Sequence, residues 1–165
     1  MAKAGGEVTT LNHEFTSPVP PARLFKALCL DPQNLLPKIV PQSIKSIDVV
    51  SGNGGPGTVK QTNFAEGSRF KYMKHKIDSL DENNNEIKYT VFEGDMLGKN
   101  IESICYEIKF EPSGSGCVCK TTTHYKVAKD GAELKEEEIK AGKERASEMY
   151  KVVENHLVAN PTVYA

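Results

Sequence analysis

Between residue 44 and about residue 127 the chain alternates apolar and polar positions with a period of two. IKSIDVV, TVKQTNF, RFKYMKHKIDSL, EIKYTVFEG, IESICYEIKFE and CVCKTTTHYKV each carry the alternation, which sends successive side chains to opposite faces of a strand. Glycine, asparagine and Pro-Ser-Gly clusters mark most of the boundaries, and residues 81–85 and 112–116 read as hairpin tips. EVTTLNHEFTS, residues 7–17, alternates in the same way. In IESICYEIKF the inward set is Ile104, Tyr106 and Ile108, with Glu107 and Lys109 outward. In RFKYMKHKI, Phe70 and Tyr72 stand against Lys71 and Lys74. The segment from Cys117 to Val127 admits two phases: Cys117, Cys119 and Tyr125 inward, or Val118 and Lys120 inward. Its pattern does not choose between them.

Two short helices precede the strands. Prolines cluster before Leu24, Phe25 and Leu28, and Pro21 fits an early helical position where no amide bond is lost. Asp31 followed by Pro32 reads as an N-cap acid and a first-turn proline, and Pro41 soon limits this second helix. The chain closes with one long helix over about residues 134–159. Its apolar positions Ile139, Ala146, Met149, Tyr150, Val153 and Leu157 recur three or four apart on one face. Gly142 interrupts that helix at a cost of about 1 kcal/mol relative to alanine, so something is expected to approach its backbone. Strand, two helices, six strands and a long helix give an α+β domain spanning residues 1–165. The expected form is one curved antiparallel sheet with the last helix across its open side.

Composition narrows the functional classes. The 165 residues suffice for one domain with a real core. A 38% hydrophobic and 26% charged chain is an ordinary globular one. Its formal net charge of −1 argues against a protein that coats nucleic acid or an anionic membrane. No apolar run marks a secretory signal or a membrane span, which points to the cytoplasm. Cys29, Cys105, Cys117 and Cys119 are then expected to be reduced and to act mainly as small buried hydrophobes. The C-x-C pair has no second pair nearby, and His13, His75, His124 and His156 are scattered singly, so no metal is expected. No cofactor is expected either.

GNGGPGT places Gly52, Gly54, Gly55 and Gly57 in six positions, a density that raises the question of a phosphate loop. A Walker loop requires a lysine directly after its last glycine and a helix beyond it. Here Thr58 and then a strand come next, and the dinucleotide fingerprint fails for want of the same helix. The loop therefore reads as a tight strand-to-strand connection built on positive φ angles, with at most weak anion binding by its amides.

PPARLFKALCLDPQNLLPKIVPQSI, GNGGPGTVK, KYMKHKIDSLD, FEGD and ANPTVYA closely resemble the plant pathogenesis-related proteins of class ten, the family of the major birch pollen allergen. GSGC at residues 114–117 departs from the family's paired glycine, in a loop. The resemblance implies the helix-grip fold: a seven-stranded antiparallel sheet wrapped round the long helix, two short helices in a V, and an internal apolar cavity. It implies reversible binding of amphipathic plant molecules such as flavonoids, cytokinins and steroids, in defence and hormone biology. The near-neutral charge leaves no membrane or specific nucleic-acid partner expected, and the sequence does not fix whether the protein is a monomer. The lining positions the resemblance implies are Leu28, Ile44, Phe64, Phe70, Tyr72, Ile87, Tyr89, Val91, Leu97, Ile104, Tyr106, Ile108, Gly142, Ala146, Met149 and Tyr150. The tyrosines would orient a ligand through hydroxyls that need partners when buried.

Two enzymatic alternatives come with the resemblance. The norcoclaurine synthases share the fold and use a cavity lysine, which would fall on Lys120, but no matching carboxylate accompanies it here. Ribonuclease activity is attributed to the glycine loop, a lysine, two glutamates and a tyrosine. These match Gly52 to Gly57, Lys60, Glu102 and Glu154, with His156 replacing the tyrosine. Histidine is a credible base, yet Glu154 and His156 are two apart on a helix and do not share a face. Ion pairing of Lys60 with Glu102 and Glu154 is the plainer expectation. The family is also related to the abscisic-acid receptors, whose gate and latch loops the sequence does not show.

Overall fold

A computed structural model describes residues 8–68, 70–97, 101–127 and 136–165, without the side chains of Met96 and Glu138. Its elements are β1 (Val8–Ser17), α1 (Pro21–Phe25), α2 (Pro32–Ile39), β2 (Ile44–Ser51), β3 (Val59–Phe64), β4 (Tyr72–Asp81), β5 (Glu86–Gly94), β6 (Ile101–Ser113), β7 (Gly116–Val127) and α3 (Glu136–Ala159). A π-helical turn, Lys26–Leu30, carries α1 towards α2. The expected strands and helices are all present. Glu7, Arg69 and residues 134–135, which the periodicity assigned to element ends, lie outside the described residues.

The seven strands form one antiparallel sheet in the order β1-β7-β6-β5-β4-β3-β2. β1 and β2, consecutive in the chain, occupy opposite edges of that sheet, and α1 and α2 supply the long connection between them. At the β4–β5 hairpin tip the turn is set by side chains. The Asp81 carboxylate accepts the backbone N–H groups of Asn83 and Asn84 at 3.1 and 3.2 Å, and Asn85 takes a φ of 52°. This is an Asx-type turn.

Register shifts at Lys74/His75 and Ile77/Ser79 in β4, and at Val49/Ser51 in β2, mark bulges. Bulges raise local twist and bend a sheet. The bent sheet packs against α3 in the helix's C-terminal half. There Val153 and Leu157 are fully buried with Leu24, Phe25, Phe110 and Cys119 in the main core cluster. A smaller cluster of Val91, Leu97 and Ile104 forms a second packed region, and Tyr89 and Tyr106 pack against both. Towards its N-terminal end α3 presents the small residues Gly142 and Ala146.

Asp31 does not cap α2 with its side chain. Its carboxylate instead accepts the Asn34 amide at 2.5 Å and the Tyr164 hydroxyl at 2.6 Å, tying the C-terminus to the start of α2. Among the described residues no helix is long and apolar enough to cross a membrane.

Candidate functional site

A cavity of about 560 Å³ lies between the sheet and α3. The strands contribute to its wall from one face: Leu11 and His13 from β1, Ile44 and Ile47 from β2 across the irregularity at Ile44/Ser46, and Lys60, Thr62 and Phe64 from β3. Met73, His75 and Ile77 come from β4, Ile87 and Tyr89 from β5, Tyr106 and Ile108 from β6, and Thr121, Thr123 and Tyr125 from β7. Leu28 and Cys29 close one side, and Gly142, Ala146, Met149 and Tyr150 of α3 form the lid. Such a wall is mostly apolar with a few polar groups, as small-molecule sites are.

The pleat decides which of the expected residues reach it. Leu28, Ile44, Phe64, Phe70, Ile87, Tyr89, Tyr106, Ile108, Gly142, Ala146, Met149 and Tyr150 all line the cavity. Tyr72 does not: it stands one residue out of phase with Met73, and its hydroxyl donates to Glu93 Oε2 at 3.1 Å. Phe70 precedes β4, so the two are not on a common strand face. Val91, Leu97 and Ile104 point inward but fill the smaller core cluster rather than face open volume.

β7 adopts the first of its two phases. Cys117 and Cys119 are buried and Tyr125 reaches the cavity, which turns Lys120 out. Lys120 is exposed and its Nζ pairs with Glu111 at 2.8 Å. It is therefore outside the cavity that the condensing alternative requires.

Lys60 is the reverse case. It is 3% exposed, lines the cavity, and its Nζ donates to Gln33 Oε1 at 3.2 Å. The expected pairing with Glu102 and Glu154 does not form, because the β3 pleat sends Lys60 inward while the exposed Glu102 pairs with Lys126 at 3.2 Å. Neither Glu154 nor His156 lines the cavity, and among the described residues no hydrogen bond or ion pair joins the four groups of the ribonuclease alternative.

Burial sets the protonation of this interior. It lowers the Lys60 ammonium below its ordinary range, and it lowers His75 to about 4, with the nearby Lys60 charge acting in the same direction. It pushes the Tyr89 and Tyr150 phenols well up, so both stay protonated donors. The Cys29 thiol is likewise pushed up by burial. All four cysteines are free thiols. The rings of Tyr89 and Tyr106 stack with centroids 5.0 Å apart, and His75 lies 4.9 Å from Tyr89, giving a continuous aromatic stretch of wall. At the rim the Arg145 guanidinium sits over the Phe70 ring at 5.2 Å.

The glycine loop lies outside this wall. Gly52, Gly54 and Gly57 have φ of 100°, 101° and 90°. The amides are engaged internally: Gly54 N–H donates to Thr58 Oγ1 at 2.8 Å, Gly55 N–H to Asn53 Oδ1 at 3.1 Å, and Gly57 N–H to the Ile77 carbonyl at 2.7 Å. That is a connection, not an anion cradle.

The family model described as the pathogenesis-related protein Bet v 1 family matches residues 6–160. The chain belongs to that family. Bet v 1 relatives include the major strawberry allergen Fra a 1.08 of Fragaria ananassa, 50% identical over 95% of this chain and 98% of its own length. The major allergen Pru av 1 of Prunus avium is 51% identical over the same shares. Among solved Bet v 1-fold structures, that of Ara h 8.0201 superposes with a TM-score of 0.84 at 37% identity, covering 93% of this chain and all of the other. Norcoclaurine synthase from Thalictrum flavum, solved with dopamine and hydroxybenzaldehyde, gives 0.71 at 19% identity over 93% of this chain and 88% of its own. At that identity the likeness is one of fold.

Sequence reasoning missed His13, Thr62, Met73, His75, Thr121 and Thr123 as wall residues. A phase count would have found several of them: Lys60 and Thr62 alternate with Phe64, and His75 lies between Met73 and Ile77 in register.

Proposed function

We propose that this Bet v 1 family member reversibly binds amphipathic small molecules of the flavonoid, cytokinin or steroid kind in its internal cavity. It would act as a carrier or buffer in the cytoplasm of plant cells, in defence and hormone biology. The observation that carries this reading is the cavity of about 560 Å³ with a stacked Tyr89–Tyr106 wall and few polar groups. Apolar burial at about 25 cal/mol per Å² provides the affinity, and sparse phenolic donors leave the ligand range broad. The positions of Lys120, Glu102, Glu154 and His156 favour binding over either catalytic alternative.

The chain has no tryptophan, and four of its six tyrosines, Tyr89, Tyr106, Tyr125 and Tyr150, line the cavity. Tyrosine emission is thus a built-in reporter. Titration with a neutral flavonoid should quench it saturably, and Ala146→Phe, which fills the space below α3, should abolish the quench while the protein stays folded. Linear, non-saturating quenching identical in both proteins would remove the proposal.

A further inference from the structure

We propose that the cavity selects amphipathic carboxylates, with the anionic head seated on Lys60 Nζ beside the His75 imidazole and the apolar body against Tyr89 and Tyr106. This rests on the reading of the cavity as a ligand site and adds the chemical class of its preferred occupant.

A buried ammonium needs a counter-charge. Lys60 has three N–H donors and one neutral acceptor, the Gln33 amide oxygen. No carboxylate among the described residues lies within ion-pair distance of it. Asp31, the acid whose charge it senses, has both oxygens committed to Asn34 and Tyr164. Taking a cation out of water without an anionic partner is unfavourable. A carboxylate head would offset that cost with a charge-assisted hydrogen bond, and a neutral head would not.

The second feature is independent of the first. His75 faces Lys60 directly across the β3–β4 ladder, so the two side chains share the cavity face. Its Nδ1 is buried without a protein partner. A buried ring nitrogen left without a partner costs free energy, and a head group with two oxygens can reach both residues. The charge of the lining agrees. Its cations are Lys60, Lys143 and Arg145, and its only carboxylate among the described residues is Glu148, an exposed residue of α3. Entry of an anion past the rim is therefore not opposed.

The test compares naphthylacetate with naphthylacetamide, equal in shape and different in charge, by calorimetry near neutral pH. The wild-type protein should bind the acid about tenfold more tightly, or better. In Lys60→Met the preference should vanish, the two compounds binding equally. Equal affinities in the wild type, or a preference that survives Lys60→Met, overturn the carboxylate seat while leaving the cavity reading intact. Binding of neither compound overturns both. If Lys60→Met does not fold, the wild type still decides. An acid preference accompanied by a shift of the Lys60 ammonium resonance supports the seat, and a preference without that shift overturns it.

Discussion

The Arg23 guanidinium of α1 donates to the Leu157 carbonyl oxygen of α3 at 3.1 Å, and the same Nη2 reaches the carbonyls of Asn160 at 2.9 Å and Val163 at 2.7 Å. The last carbonyls of a helix have no partners within it and carry the negative end of its dipole. One planar cation thus closes α3 from outside and joins it to α1. Arg23→Met should cost about 2 kcal/mol in urea unfolding with an unchanged m value. Arg23→Lys should recover less than half of that, because an ammonium cannot serve three diverging carbonyls at once. A full recovery by lysine would show that charge alone matters there.

Gly52 and Gly54 separate the two reasons for a glycine. A Cβ at Gly52 would lie 2.7 Å from Thr58 Cα, and the residue also sits at positive φ. Gly54 has nearly the same φ with nothing within 4 Å. Gly54→Ala should therefore cost about 1 kcal/mol, from backbone strain alone, and Gly52→Ala about 3 kcal/mol. Thermal unfolding of the two variants measures the gap. Equal losses would contradict the close approach of Thr58.

His75 should make stability depend on acid. Burial and the Lys60 charge hold its folded pKa at about 4, below the 6.5 of an unperturbed imidazole. Between those values the unfolded chain binds the extra proton, so stability is complete above about pH 6.5 and falls as pH drops towards 4. The charge that acts on the ring is that of Lys60, and the neighbouring Tyr89 phenol stays neutral in that window. Because the ring is half-buried, the loss should be on the order of 2 kcal/mol, less than the full shift implies. His75→Gln should flatten urea midpoints between pH 6.5 and 4; an unchanged slope would place the ring's titration elsewhere.

The strands were legible because alternation survives wherever one face is apolar. Ile104, Tyr106 and Ile108 announce their phase, and β6 follows it. In β7 the inward set runs Cys117, Cys119, Thr121, Thr123, Tyr125, where small and polar residues erase the contrast with the outer face. Tertiary pairing fixes the choice: Cys119 stands opposite Phe15 of β1 and Phe110 of β6. Lys60 and His75 were in the right phase for the inner face but were passed over because they are polar. Pattern reading sends polar residues outward, and that rule fails where a wall faces internal open volume. The two packed regions are likewise invisible in one dimension, so Val91, Leu97 and Ile104 read as lining when they are core.

Lys120 gives a direct test of the condensing alternative. Its Nζ is on the outer face with Glu111, and Glu111 is held below the usual carboxylate range by that hydrogen bond. Exposed pairs of this kind add little to stability. Lys120→Met should leave both the thermal midpoint and the flavonoid quenching curve unchanged. A loss of ligand affinity in Lys120→Met would return the side chain to the interior and reopen imine chemistry.

Gly142 tests whether the space beneath α3 serves the ligand or the fold. A Cβ built there meets only the Tyr125 hydroxyl at 3.8 Å and an Arg145 nitrogen at 4.0 Å, both ordinary contacts, and its φ is not positive. Nothing in the packing therefore demands glycine. Gly142→Ala should stabilise the protein by about 1 kcal/mol through helix propensity, raising Tm by roughly 2–4 °C. The added methyl group would also take volume from the cavity wall, so a bulky steroid should bind more weakly while a small phenol binds as before. Stabilisation with size-dependent loss of binding means the glycine is kept for room. Destabilisation would mean that the helix backbone is held closer to the sheet than these contacts allow.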